Sequence, residues 1–189
     1  METKEKKNKI RTNLKELRSK LSKEFVKANS DTICTKLLSS KEYSNANNIL
    51  CYMSIKNEVD VLPIIERALI DKKNVYLPKV NDEYMDFYRI YNANECHKGA
   101  FGILEPKETD IFDEDDGLVI VPLVGFDEEL HRIGFGAGYY DKYFSKHNTL
   151  TKIAVAYEFQ KTDTLFEIDK YDISMDYVYT QNNIYGGQG

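Results

Sequence analysis

The sequence predicts an α/β domain with a mixed, mostly parallel sheet and helices on both of its faces. Short apolar runs typical of buried strands alternate with longer segments of helical spacing. The chain has 189 residues and shows no internal repeat, linker or break in composition. We therefore expect one domain over residues 1–185, followed by a disordered tail at 186–189.

Two helices are predicted at the start of the chain. Apolar residues recur at helical spacing from Ile10 to Leu21, which predicts an amphipathic helix from about Lys6 to Leu21. Ser22 is a good N-cap residue, so a second helix is predicted to follow it and to end near Ser40.

Short apolar runs bounded by turn residues predict the strands. A helix beginning at Asp60, with Pro63 in its first turn, separates the first two strands and completes a β-α-β unit, and Pro78 should end the second strand. A short helix is expected at Tyr139–Phe144. The predicted strands are Ile49–Met53, Val75–Leu77, Met85–Ile90, Leu118–Val121, Ile153–Phe159 and Tyr177–Thr180.

The composition, with 42% hydrophobic and 30% charged residues, is that of a soluble globular protein. No apolar run approaches the roughly 18 residues of a membrane span, and the charged N-terminus lacks the apolar region of a secretory signal. We therefore expect a cytoplasmic protein without a membrane partner, acting as a monomer. Cys34, Cys51 and Cys96 have neither the spacing of a zinc site nor that of a disulfide framework.

Charge is distributed unevenly along the chain. Residues 1–30 carry a net charge of +6, and the remainder carries −11. The basic face of the first helix is either solvated or able to bind an anion, and Lys15 and Arg18 are expected to be solvated. A nucleic-acid partner is disfavoured because the rest of the chain is strongly acidic.

The segment from Arg132 to Asp141 reads RIGFGAGYYD. Three glycines at every second position allow a tight loop whose backbone N–H groups can bind phosphate, although such a pattern is as often only a turn. Arg132 could bind the same phosphate, and Asp141 is a hard oxygen donor for the magnesium that accompanies ATP. A dinucleotide-binding fingerprint does not fit, because the third glycine is one residue early and the 12 residues from Pro122 to Ile133 separate the predicted strand from Gly134.

A longer pattern surrounds this loop. Pro122, the Gly125–Asp127 segment and the Arg132–Asp141 segment together resemble the signature of the 5-formyltetrahydrofolate cyclo-ligase family. Further segments follow in the family's order, so the resemblance spans nearly the whole chain. They are Lys7-x-x-x-Arg11, Met53 with Asn57-Glu58-Val59, Leu77-Pro78, Gly102–Pro106, Gln160 and Met175-Asp176-Tyr177-Val178.

The resemblance implies a ligase that uses ATP and magnesium to close 5-formyltetrahydrofolate to 5,10-methenyltetrahydrofolate. The formyl oxygen would be phosphorylated, and ADP and phosphate would be released. It also implies a fold similar to that of the sugar-phosphate isomerases and CoA transferases. Two alternatives stay open, a phosphosugar isomerase-like enzyme and a non-catalytic nucleotide- or folate-binding protein.

The resemblance also implies a role for individual residues. Arg132 and Tyr140 would be catalytic, Met53, Glu58 and Tyr140 would bind the folate, and Asp141 and Asp176 would bind magnesium. Phe135 and Ala137 depart from the residues common in the family, so only backbone contacts to ATP are expected there. The residues implied to bind ATP are Lys7, Arg11, Arg132, Ile133, Gly134, Phe135, Gly136, Ala137, Gly138, Tyr139 and Tyr140.

Overall fold

The computed structural model of the protein describes residues 2–81, 83–99, 104–108, 110–167 and 169–187. Its helices are α1 (Glu2–Ser19), α2 (Lys23–Leu38), α3 (Lys41–Asn45), α4 (Leu62–Ile70) and α5 (Tyr139–Lys146). Its strands are β1 (Asn48–Leu50), β2 (Asn74–Asn81), β3 (Tyr84–Ile90), β4 (His97–Lys98), β5 (Leu104–Glu105), β6 (Leu118–Pro122), β7 (Gly125–Phe126), β8 (Arg132–Ile133), β9 (Thr151–Val155), β10 (Tyr177–Tyr179) and β11 (Ile184–Gly186).

Seven strands form one sheet in the order β11-β10-β9-β6-β1-β2-β3. The five central strands run parallel, and β3 and β11 add antiparallel edges. The predicted mixed, mostly parallel sheet is therefore confirmed. No helix among the described residues has the length and apolar character needed to cross a membrane.

Helices cover both faces of the sheet because successive strand residues point to opposite sides. Ile49 of β1 packs in one buried cluster with Ile33 of α2 and Ile64 of α4. Its neighbour Leu50 packs in a second cluster with Phe144 of α5. This arrangement confirms the predicted coverage of both faces.

The first helix lies away from both of these layers. Leu14 of α1 is buried with Val124, Ile133 and Phe166, next to the hairpin formed by β7 and β8. The approach is close, because a Cβ atom on Gly125 would lie 2.5 Å from Cδ1 of Leu14. The packing holds the basic helix beside the segment that follows β8.

Three strands end three or more residues away from their predicted ends. The strand predicted to reach Met53 ends at Leu50. Pro78 does not end β2 but pairs with Phe87 of β3. The last residue of β2 that pairs with β1 is Tyr76, so beyond it β2 has a strand on one side only, and a residue without an N–H group is tolerated there. The strand predicted to reach Phe159 ends at Val155, and a 3-10 turn follows.

The end of the chain also differs in part from its prediction. Gly186, which was expected to belong to a disordered tail, is the last residue of β11 and pairs with Tyr177. Residues 188 and 189 lie outside the described residues, as do residues 102 and 103 of the Gly102–Pro106 segment.

Helix α4 offers a matched test of the packing. Ile64 is fully buried, whereas Ile70 on the same helix is 73% exposed. We expect Ile64→Ala to lower the free energy of unfolding by about 2–5 kcal/mol, because it leaves a cavity in the core. Ile70→Ala should change it by no more than about 0.5 kcal/mol. Equilibrium urea unfolding measures both, and equal losses would contradict the packing described for α4.

Candidate active site

The glycine loop joins β8 to α5. Gly136 and Gly138 have φ angles of 113° and 70°, a region that disfavours residues with side chains. A Cβ atom on Gly134 would lie 2.6 Å from Nη1 of Arg132 and would displace the guanidinium group. The loop leads directly into the N-terminus of α5, where the positive end of the helix dipole favours an anion.

Arg132 lies beneath this loop with a side chain only 5% exposed. Its Nη2 atom is 2.8 Å from Oδ1 of Asp141, and its Cζ atom is 5.6 Å from the centre of the Tyr140 ring. The ion pair with Asp141 is close but poorly directed, so Nε and Nη2 make no hydrogen bond within the described part of the chain. Buried donors without an acceptor are rare, and these two are suited to an anionic ligand.

Two cations from α1 reach the same place. Nε of Arg11 donates a hydrogen bond to the carbonyl oxygen of Gly134 at 2.8 Å, and its Nη1 donates to Asn8. Nζ of Lys7, one helical turn earlier, is 2.5 Å from Oδ2 of Asp172. The four-residue spacing thus places both predicted ATP-binding cations close to the loop.

The carboxylates near the loop are Asp141 and Asp172. The backbone N–H of Ile173 donates to Oδ1 of Asp141 at 3.3 Å, which holds Asp172 beside the start of α5. Burial alone would raise the pKa of Asp172, but hydrogen bonds from Lys7 and from the backbone of Asp169 hold it below the usual value.

Asp176, predicted as a magnesium ligand, contacts Lys152. Its Oδ2 atom accepts a hydrogen bond from the backbone N–H of Lys152 at 2.6 Å and lies 3.1 Å from Nζ of the same residue. Within the described ranges, no group of three or more His, Cys, Asp or Glu side chains is suited to a metal ion. The pairing of Asp141 with Asp176 stays a prediction.

Glu58 is buried, and its charge acts on the hydroxyl group of Tyr140. Its Oε2 atom accepts a hydrogen bond from the backbone N–H of Ile55 at 2.9 Å, and its Oε1 atom is 3.9 Å from Nη2 of Arg18. Burial raises the pKa of Glu58, although the Ile55 hydrogen bond and the charge of Arg18 oppose the rise. Met53 is partly buried against the core on the same stretch of chain.

Tyr140 connects the two halves of the site. Its ring lies near Arg132, and it also makes an edge contact with Phe87. Burial raises the pKa of its hydroxyl group, and the charges of Arg132 and Glu58 act on it in opposite directions. The hydroxyl group is therefore within electrostatic reach of both predicted subsites.

The expectation that Arg18 is solvated is wrong. The side chain is buried, Nη1 donates to the carbonyl oxygen of Leu123 at 3.4 Å, and Cζ lies 5.4 Å from the centre of the Phe135 ring. Arg18 follows Leu14 by four residues and therefore shares the packed face of α1. That spacing is the signal that sequence reasoning missed.

Residues 3–181 match the model of the 5-formyltetrahydrofolate cyclo-ligase family. This chain belongs to that family. The probable 5-formyltetrahydrofolate cyclo-ligase of Schizosaccharomyces pombe is 35% identical over 151 residues, which cover 76% of this chain and 74% of that protein. The 5-formyltetrahydrofolate cyclo-ligase of Haemophilus influenzae is 26% identical, with 89% and 97% covered.

Solved structures agree with the family membership. The 5,10-methenyltetrahydrofolate synthetase of Aquifex aeolicus superposes with a TM-score of 0.85 at 34% identity, covering 97% of this chain and 93% of that one. The synthetase of Mycoplasma pneumoniae gives a TM-score of 0.74 at 28% identity, covering 93% and 98%. The fold and the family's ligase class therefore apply to nearly the whole chain.

Asp127, part of the segment that resembles the cyclo-ligase signature, has a structural role. Its side chain is fully buried, and Oδ1 accepts hydrogen bonds from the backbone N–H groups of Glu129 and His131. Oδ2 accepts from the backbone N–H of Phe166 at 2.8 Å. Asp127 thus fixes the turn between β7 and β8 and ties it to a distant segment.

Gln160 acts in the same way. Its Nε2 atom donates to the carbonyl oxygens of Leu123 and Val124, and its Oε1 atom accepts from the backbone N–H of Tyr157. Both residues fix the backbone in and around the β7–β8 hairpin, which precedes the glycine loop. The sequence analysis included Asp127 and Gln160 in the family pattern but did not predict their hydrogen bonds to the backbone.

The raised pKa of Glu58 predicts a specific dependence of stability on pH. The folded state binds the proton of Glu58 more tightly than the unfolded state, whose value is near 4.5. The contribution of Glu58 to the free energy of unfolding should therefore fall as the pH rises from 4.5 through the raised pKa. Urea unfolding across this range should show the fall in the wild type but not in Glu58→Gln. A difference between the two proteins that does not vary with pH would contradict the prediction.

Proposed function

We propose that the protein is an ATP-dependent ligase that closes 5-formyltetrahydrofolate to 5,10-methenyltetrahydrofolate and releases ADP and phosphate. Family membership supports this reaction. The observation that carries the proposal is Arg132, whose buried Nε and Nη2 donors lack an acceptor beside a glycine loop and a tyrosine. An arginine in this state is suited to bind a transferring phosphoryl group.

The reaction requires that a poor leaving group be activated. The N5-formyl group is amide-like, and its oxygen cannot leave as oxide. In the proposed sequence the formyl oxygen attacks the γ-phosphorus of ATP, and the bond to the bridging oxygen breaks to release ADP. N10 then attacks the activated carbon and loses its proton, and the carbon–oxygen bond breaks to release phosphate.

Phosphoryl transfer of this kind needs alignment and charge neutralisation more than an acid or a nucleophile from the protein. Arg132 would donate to the oxygens of the transferred group, and the N–H groups of residues 134–138 would bind the neighbouring phosphates. Lys7 would exchange its bond to Asp172 for a phosphate oxygen, while Arg11 stays fixed to Gly134.

One carboxylate oxygen near the loop, Oδ2 of Asp141, is suited to bind magnesium. Oδ2 of Asp141 accepts no hydrogen bond from the described residues, and magnesium bound to ATP usually takes one or two carboxylates. When bound, the ion would neutralise charge on the phosphate oxygens, and Asp141 with Asp172 would hold it. Asp172 replaces Asp176 in this proposal because Asp172 lies beside Asp141 through Ile173.

The folate would bind on the far side of Tyr140. Glu58 is a buried acceptor suited to the N–H donors of the pterin, and the nearby Arg18 favours its ionised form. Tyr140 would supply an aromatic surface between the pterin and the phosphates, and Met53 would pack nearby.

Arg132→Gln tests the role of the buried guanidinium group. We expect kcat to fall by about 10²–10³-fold, because a preorganised charge is lost from the transferring phosphoryl group. Absorbance of the methenyl product, with ATP and magnesium present, measures the rate. The control is Arg67→Gln, which removes an exposed arginine paired with Asp71 and should change kcat by less than about twofold. A wild-type protein that binds ATP but forms no product would overturn the proposed reaction.

A magnesium titration distinguishes the candidate carboxylates. Asp141→Asn and Asp172→Asn should raise the magnesium concentration for half-maximal rate by at least about tenfold. Asp176→Asn should leave it nearly unchanged because that carboxylate is bonded to Lys152. A rise for Asp176→Asn and none for Asp172→Asn would restore the pairing predicted from sequence.

A further inference from the structure

Phe135 presents an exposed aromatic ring at the edge of the site. Two cations of α1 lie over this ring, with Nζ of Lys15 5.1 Å and Cζ of Arg18 5.4 Å from the ring centre. Lys15 and Arg18 are three residues apart and project from one face of α1, so they approach the ring from the same helix. The residue remains 42% exposed, which leaves ring surface open to a ligand.

Positive charge gathers around this ring. Burial lowers the pKa of Lys15, and repulsion from Arg11, Arg18 and Lys56 lowers it further. Among the residues that the structure describes, no carboxylate lies within salt-bridge distance of Lys15 or Lys56. The mutual repulsion of these cations is unfavourable in the free protein, and a bound anion would relieve it.

The position of Lys56 is fixed relative to α1. Lys56 has a left-handed backbone, with φ of 53°, in the loop that carries Glu58. The next residue, Asn57, donates from Nδ2 to the carbonyl oxygens of Arg18 at 3.0 Å and Leu21 at 3.2 Å. The loop is thereby fastened to the end of α1, and Lys56 is held near Lys15.

The cluster belongs to the Glu58 side of the site. Arg18 lies between Glu58, 3.9 Å away, and the ring of Phe135. Lys7 and Arg11, by contrast, lie towards the N-terminus of α1, where they contact Asp172 and Gly134. A carboxylate acceptor, an aromatic ring and a pair of lysines therefore lie together. A reduced folate contains one group suited to each of these: a pterin with N–H donors, a p-aminobenzoyl ring and glutamate carboxylates.

We propose that Phe135, Lys15 and Lys56 form a subsite for the p-aminobenzoylglutamate portion of the substrate. The ring of Phe135 packs against the p-aminobenzoyl ring, and the two lysines bind glutamyl carboxylates. This inference rests on the proposed function, because it assumes a folate whose pterin binds at Glu58. It assigns a role to the side chain of Phe135, a position where only backbone contacts to ATP were expected.

Steady-state kinetics with two substrates tests the subsite. One substrate is 5-formyltetrahydrofolate, and the other is an analogue in which a neutral amide replaces the glutamate. Lys15→Gln and Lys56→Gln should each raise KM for the natural substrate by about three- to tenfold, the range expected for a charge-assisted hydrogen bond near the surface. The KM for the neutral analogue should rise much less, and the KM for ATP should stay within about twofold of the wild-type value.

Two further variants complete the design. Lys20→Gln removes one exposed cation, which directly follows α1 and pairs with Glu16 of that helix, and should leave both folate KM values unchanged. Phe135→Leu should raise KM about two- to tenfold for both folate substrates, because both retain the p-aminobenzoyl ring. An equal rise for the natural substrate and the analogue in the lysine variants, or a rise in the KM for ATP, would overturn the subsite. An absence of any change would overturn it as well.

Equilibrium binding of 5-formyltetrahydrofolate without ATP tests the subsite separately from the proposed reaction. A wild-type protein that binds the folate but makes no product would overturn the proposed reaction. The subsite would still be supported if Lys15→Gln and Lys56→Gln weaken that binding by about three- to tenfold and Lys20→Gln does not. Unchanged affinity in the lysine variants would overturn the subsite whether or not the wild type is active.

Discussion

The contact of Leu14 with Gly125 determines where the charged side chains of α1 lie. The helix can approach the β7–β8 hairpin because position 125 has no side chain, and the buried cluster around Leu14 holds it there. Arg11 then reaches the carbonyl oxygen of Gly134, and Arg18 reaches Glu58. One apolar contact therefore positions one cation at the glycine loop and another near Glu58.

Each of three cations in the site has an acidic partner: Lys7 is close to Asp172, Arg132 to Asp141 and Arg18 to Glu58. The pairs differ in how well the donors of the cation are hydrogen-bonded to the carboxylate. Lys7 is directly hydrogen-bonded, whereas Arg132 has badly directed donors and Arg18 lies at the limit of ion-pair distance. Burying charge is unfavourable unless it is neutralised, so these pairs offset part of the cost of burial while leaving donors for a ligand.

The periodicity of apolar residues was sufficient to predict the main helices and strands, because the apolar pattern of each element follows from the face that it buries. The first two helices, the central strands and the start of α5 were predicted close to their observed positions. Pro78 was misjudged because its effect depends on which side of β2 has a neighbour, and that is a property of the whole sheet. The short hairpin of β7 and β8 was not predicted, since two-residue strands carry no periodic signal. The hydrogen bond of Asp127 to Phe166 was not predicted either, because it joins residues 39 positions apart.

For the site, too, the local features were predicted correctly, and the features that depend on long-range contacts were not. The four-residue spacing of Lys7 and Arg11 and the glycine pattern were local, and the structure places both at one location. The burial of Arg18 and the competing claims of Asp172 and Asp176 depend on segments distant in sequence. Asp172 lies beside Asp141 of α5 and contacts Lys7 of α1, which is 165 positions earlier, and no local pattern distinguishes it from Asp176.

The bond between Lys7 and Asp172 joins residues that are 165 positions apart. Loop closure over such a distance is entropically costly and comes late in the formation of structure. During biosynthesis, α1 leaves the ribosome long before its acidic partner is translated. The proposed ATP site is therefore incomplete until Asp172 has left the ribosome, and ATP bound there can stabilise the fold only from that point on.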